Sequence, residues 1–167
     1  MATANGERGE TVAGRRSPAR YRRRYYFFSV LAFFSVVFFW AFVWNILLFR
    51  GRYEELAGSM LREPPFFASG MTAIFFQAVA MTAAFALFYP AGRFQPGRAI
   101  LIAAIVNAGS VTYGAFVVPG KFNILDVVGW IPLELAHGVI ATCSIGIVLA
   151  LVWSAAATRE KGAEHGV

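Results

Sequence analysis

One cysteine, two histidines and a charged fraction of 14% set the first limits on this chain. With Cys143 alone, an intrachain disulfide and a cysteine-rich metal site are both excluded, and the redox compartment stays open. Soluble domains carry about a quarter charged residues. A chain with 14% charged and 58% hydrophobic residues is therefore not an ordinary soluble globule. Gly-x-Ser-x-Gly, a phosphate-binding glycine loop and a dinucleotide fingerprint are all missing, so no hydrolase or nucleotide site is written in the sequence. Acidic residues and histidine are missing from the long apolar runs, with one exception at Glu134 and His137.

What is present is a set of four apolar runs in 167 residues, room for a single domain. About 20 apolar residues cross the hydrocarbon core of a bilayer. The spans are expected at about 25–49, 66–89, 99–118 and 131–156, within a membrane domain over 25–157. Residues 1–24 read as a disordered basic tail and 158–167 as a short polar tail. The twin arginine Arg15-Arg16 has no small-residue cleavage site after the apolar run, which is also too long for a signal-peptide core. The formal charge of +6 is concentrated ahead of the first run. Arg22, Arg23 and Arg24 abut it, which points to anionic lipid headgroups and not to nucleic acid.

Between the first two runs, Tyr53, Leu56, Ala57, Met60 and Leu61 fall on one helical face, and Pro64-Pro65 ends the pattern. A short helix in the membrane interface is expected over Arg50–Glu63. The expected fold is all-α: a four-transmembrane-helix bundle with this interfacial helix between helices 1 and 2. Helix 1 is crowded with Phe and is placed outside, against lipid or a partner chain. In the second run Gly70, Ala73, Gln77, Ala80 and Ala84 form a small-residue stripe expected to face other helices. Asn123 and Asp126 suggest a capped turn over Ile124–Val128, and Pro132 suits the first turn of the fourth helix. Eleven Lys and Arg fall on the side of the two termini and four on the other, which places both termini in the cytoplasm.

Glu134 and His137 are three residues apart and share a helical face. An ionisable side chain at the bilayer centre costs roughly 2.5–3.5 kcal/mol on insertion scales, so other helices must shield these groups. The candidate intramembrane polar cluster is Glu134, His137, Asn45, Gln77, Asn107 and Tyr113. Asn45 is expected to bond a neighbouring helix or the headgroup zone. Glu-x-x-His is half of a di-iron carboxylate pattern, but the other half is missing. Zinc needs at least three protein ligands, and the only other histidine is His165 in the tail. No catalytic residue, metal or cofactor is expected. Glu134 and His137 read either as a structural lock or as a proton path.

Trp44-Asn45 with Phe49 and Tyr53, Arg62-Glu63-Pro64, and Pro132-Leu133-Glu134 with His137 resemble a group of small bacterial four-helix integral membrane proteins. The resemblance covers about Phe42 to Val152, implies four spans and lends no activity. The long basic N-terminal tail departs from it. Three readings of function stand. The first is a non-catalytic multi-pass protein of the cell (inner) membrane, an accessory or assembly subunit of a larger complex with a partner along helix 1. The second is a small transporter or proton-coupled carrier centred on Glu134 and His137. The third is a membrane enzyme acting on lipid or quinone.

Overall fold

The uncharged stretch that begins at Tyr25 cannot satisfy its backbone in lipid except as a helix, and a helix is what it forms. The computed structural model describes residues 18–57, 67–90 and 93–164, with side-chain surroundings for 24–57, 68–90 and 93–155. The basic tail before residue 18, the side chains of Arg22 and Arg23, Met60 and Leu61, the Arg62-Glu63-Pro64 motif and His165 lie outside those ranges.

The chain is helical, with no strand among the described residues. Helix α1 spans Pro18–Phe42 and continues as a π-helical segment, Val43–Leu48. Helix α2 spans Arg50–Ala57 and α3 spans Phe67–Phe88. Helix α4 spans Pro96–Thr112 and passes through a second π segment, Tyr113–Val117, into α5, Val118–Lys121. Helix α6 runs from Val127 to Glu164. Four stretches are long and apolar enough to cross a membrane: Arg24–Leu48, Ala68–Phe88, Pro96–Lys121 and Val127–Ala155.

These four stretches share one apolar cluster. Phe33 comes from α1, Ala78, Met81 and Phe85 from α3, Ala99, Ile102 and Ala103 from α4, and Ile145, Leu149 and Ala150 from α6. Helix α6 packs against α1 and α4, and α3 packs against the same two helices from the other side. The tightest seam is α4 on α6. A Cβ on Gly146 would sit 2.8 Å from the Ile100 Cα, so the two backbones meet there. A Cβ on Gly138 would sit 2.7 Å from Val111 Cγ1. Tyr89 fixes the turn between α3 and α4: its hydroxyl accepts from the Gln95 N–H and donates to the Arg93 carbonyl.

Several expectations are corrected. Of the expected stripe, Gly70, Ala73 and Ala80 are exposed, and a Cβ on Gly70 would meet nothing within 4 Å, while Gln77 bonds α4 and Ala84 packs on the apolar cluster. The buried face of α3 is Ala78, Met81, Thr82 and Phe85, a mixture of small and large side chains that fills the space between α3 and its neighbours. Helix α1 turns only one side outward: Ser29 and Phe33 are buried, as is Trp44 in the π segment that continues it, while Phe27, Phe28, Phe38, Phe39 and Phe42 form an exposed outer face. Its helix begins at Pro18, so Arg20 and Arg22–Arg24 belong to its first turns and not to irregular chain. Helix α6 likewise runs on to Glu164, through most of the stretch read as a tail.

Asp126 is itself the cap of α6, its carboxylate accepting from the Gly129 N–H at 2.9 Å. The helix therefore starts a turn earlier than the proline pattern suggested, and Pro132 lies inside it. Ile124 and Leu125 are irregular chain, not a turn of helix.

Candidate functional site

The site is built where α1, α4 and α6 end near α2. In the first π segment the Phe49 N–H bonds back five residues to the Trp44 carbonyl at 3.0 Å. Phe49 then leaves helical geometry, at φ −124° and ψ 16°, and the chain restarts as α2. The break lets Phe49 fold onto Trp44, ring centroids 4.5 Å apart. It also lets α2 turn its apolar side inward, where Tyr53, Leu56 and Ala57 are buried. Fully burying a side chain such as Leu56 contributes about 1.5–3 kcal/mol. The ion pairs Arg50–Glu54 and Arg52–Glu55 lie on the exposed side of α2. Exposed pairs of this kind contribute only about 0.2–1 kcal/mol, so α2 is seated mainly by its buried face.

The second π segment has a cause in the sequence. Pro119 has no N–H to donate. The Val118 N–H reaches back to Tyr113, which leaves the Gly114 carbonyl without a helical partner. The indole N–H of Trp130 donates to that carbonyl at 3.0 Å. A lone proline thus places a tryptophan of α6, and π-bulges of this kind are common at functional sites. Trp130 in turn meets Tyr53 edge-on at 5.5 Å.

Glu134 sits at the centre. The Tyr53 phenol donates to its Oε1 at 2.5 Å, across 81 residues of sequence. A Cβ on residue 114 would lie 3.1 Å from Glu134 Oε2, so glycine there gives the carboxylate its place. Burial first, then the hydrogen bond to Glu134, push the Tyr53 phenol far above its ordinary value, so it is held protonated. The Trp44 indole N–H lies near enough to Tyr53 to act in the opposite sense, yet it is buried without a hydrogen-bond partner. His137 stacks on the Trp44 ring, centroids 5.5 Å apart and planes 18° from parallel.

The six candidate residues therefore separate. Glu134 and His137 lie together in this aromatic setting. Gln77 and Asn107 form a second set: Gln77 donates to Asn107 at 2.8 Å and to Ser110 at 3.0 Å, and Asn107 donates to Thr142 at 3.1 Å. That chain of amides and hydroxyls ties α3 to α4 and α4 to α6. Asn45 bonds neither a neighbouring helix nor the first set, but the Ala41 carbonyl of its own helix at 2.9 Å. Tyr113 is exposed, with the Lys121 ammonium 5.7 Å from its ring centroid.

No protein-family model, curated protein or solved structure matches this chain. The site therefore has to be read from its own chemistry. Among the described residues no three of His, Cys, Asp or Glu converge. Sequence reasoning missed Tyr53 and Gly114 as neighbours of Glu134, Trp130 as the contact of both, and Trp44 as the partner of His137. Helical periodicity puts Tyr53 on an apolar face, and its hydroxyl on that face is the one signal the sequence offers.

Proposed function

We propose that this is a non-catalytic multi-pass membrane protein that serves as an accessory or assembly subunit of a larger membrane complex. One observation carries the reading. The carboxylate and the amides inside the spans are turned on the chain itself: Glu134 on Tyr53, Asn45 on Ala41, and Gln77 and Asn107 on each other, with Asn107 also on Thr142. What the spans present outward is apolar and aromatic, most densely along α1. Such a molecule interacts through its helix surfaces and not through an open polar path. In this reading the four helices form a bundle in the cell (inner) membrane and α2 lies in the interface. Both termini are cytoplasmic by the distribution of Lys and Arg, with Arg22, Arg23 and Arg24 against anionic headgroups.

Purification from native membranes in mild detergent tests it. A second chain should copurify in fixed stoichiometry and be lost when Phe38 and Phe39 are changed to Leu. Isolation of the chain alone or as a homo-oligomer would overturn the reading. Reporter fusions test the orientation: those after Ala156 should behave as cytoplasmic and those within α2 as external. A second reading, a proton-coupled carrier centred on Glu134 and His137, draws on Glu134 itself, an ionisable group inside a span. Proton flux into liposomes that Glu134→Gln abolishes would establish it in place of the first. Chemistry on lipid or quinone has no observation in its favour.

A further inference from the structure

Helix α2 touches the rest of the chain through a small set of contacts. The Tyr53 phenol reaches Glu134, the Leu56 carbonyl accepts from the Leu125 N–H at 2.8 Å, and Arg52 reaches Asp126 at 3.5 Å. Leu56 and Ala57 complete the seat, 1% and 2% exposed. Of these contacts, the phenol–carboxylate bond alone links α2 to an ionisable group inside a span.

We propose that α2 is a lid over Glu134, seated by its buried face and latched by the Tyr53 phenol on the Glu134 carboxylate, and that protonation of Glu134 loosens the latch. An ionised carboxylate accepts a charge-assisted hydrogen bond, roughly twice as strong as the neutral bond to a carboxylic acid. The acid form also carries its own O–H, which competes for the phenol oxygen. The closed state has a built-in counterweight. The Trp44 indole N–H, on a residue 6% exposed, is left without a partner beside Tyr53. A buried donor without a partner weighs against the closed state and gains water when the lid lifts.

The other charged groups around the lid are few. Arg50, Arg52, Glu54 and Glu55 stand on the exposed side of α2, and Asp126 faces Arg52 from the start of α6. His137 lies one turn along α6 and stacks on Trp44. Trp44 and Phe49, from the first π segment, are uncharged, and Gly114 is what the second π segment presents to Glu134. Lys121 is engaged over the Tyr113 ring. A pH response can therefore come from Glu134, His137, Asp126, Glu54 or Glu55, and its loss in Glu134→Gln singles out the first.

Ala57→Cys, in a Cys143→Ala background, places a thiol of nearly the native size under the lid. The protein is put into nanodiscs of uncharged phosphatidylcholine and labelled with a water-soluble methanethiosulfonate. Rates are divided by those of Glu54→Cys on the exposed side of α2, which removes the reagent's own pH dependence. The scan runs from about pH 4 to about pH 9, which brackets carboxyl titration in proteins. The expected result is a protected thiol at high pH and a relative rate about ten-fold higher at low pH, the change expected from losing a charge-assisted bond. Glu134→Gln should give the high rate at every pH, while Asp126→Asn and His137→Gln should keep the pH dependence. A flat profile in the parent overturns the proposal, as does a pH response that survives Glu134→Gln or disappears in His137→Gln. Leu56→Cys provides the same readout if Ala57→Cys does not fold.

Discussion

Gly146→Ala adds one methyl group at the place where α4 and α6 come closest. The new carbon would lie 2.8 Å from Ile100 Cα, 2.9 Å from Ile100 N and 3.1 Å from Ala99 C. Ordinary carbon contacts are about 3.5–4.0 Å, and a gap of about 0.5–1 Å forfeits a quarter to a half of each contact's attraction. The obstructing atoms are backbone, so no rotamer change relieves the clash and the helices must part. Parting them also stretches the Asn107–Thr142 hydrogen bond, already 3.1 Å long. Overpacking of this kind costs about 1–3 kcal/mol. Replacing Gly by Ala within a helix returns about 0.5–1 kcal/mol. Because three backbone atoms obstruct the new methyl, the cost falls in the upper half of the overpacking range, about 2–3 kcal/mol, and the net expectation is a loss of about 1–2.5 kcal/mol. The same substitution at Gly70 meets nothing within 4 Å, so there the helix-propensity gain stands alone and the variant should equal or exceed the parent. Reversible unfolding in mixed micelles, read by tryptophan fluorescence over an SDS titration, measures both. If Gly146→Ala is as stable as the parent, or Gly70→Ala is the more damaging of the two, then the packing of α4 on α6 and the facing of α3 are wrong.

The facing of α3 and α1 has a second check. Ala80→Phe should be tolerated because Ala80 is exposed, while Phe33→Ala, at 1% exposure, should cost about 3–5 kcal/mol in the same titration. Asn107→Leu removes the link between Gln77 and Thr142 and should cost about 0.5–1.5 kcal/mol, the range of interhelical hydrogen bonds in membranes. The Tyr53 phenol gives a pH prediction at the alkaline end. Its folded value lies above its unfolded value, so its contribution is fully present below about pH 10 and is lost as pH rises beyond that. Melting temperatures between about pH 8 and about pH 11 should therefore fall more steeply in the parent than in Tyr53→Phe, and parallel curves would contradict the assigned burial of the phenol.

Much of the local structure follows from the sequence alone, because lipid leaves an uncharged backbone no alternative to the helix. The runs without charge mark the four long stretches, and Tyr53, Leu56 and Ala57 mark the buried side of α2 by helical periodicity. Glu134 and His137 stand out because nothing else ionisable shares their setting. Facing was harder to read. In water a helix shows its core side by hydrophobicity, but in these spans both sides are apolar and the contrast vanishes. Small residues are then the available guide, and on α3 they stand on both faces, Gly70, Ala73 and Ala80 outward and Ala78 inward beside Met81 and Phe85.

The partners of Glu134 were decided by tertiary structure. Tyr53 lies 81 residues from it, and the pairing depends on a helix that breaks at Phe49 and restarts. Trp130 is placed by a carbonyl that Pro119 leaves without a partner. Each of those local features is visible in the chain, but the distance between them is not. Sequence alone marked the four long helical stretches and the ionisable residue that stands apart within them. Which groups meet that charge was settled by how the helices close on one another, because a hydrogen bond depends on position in space and not on separation along the chain.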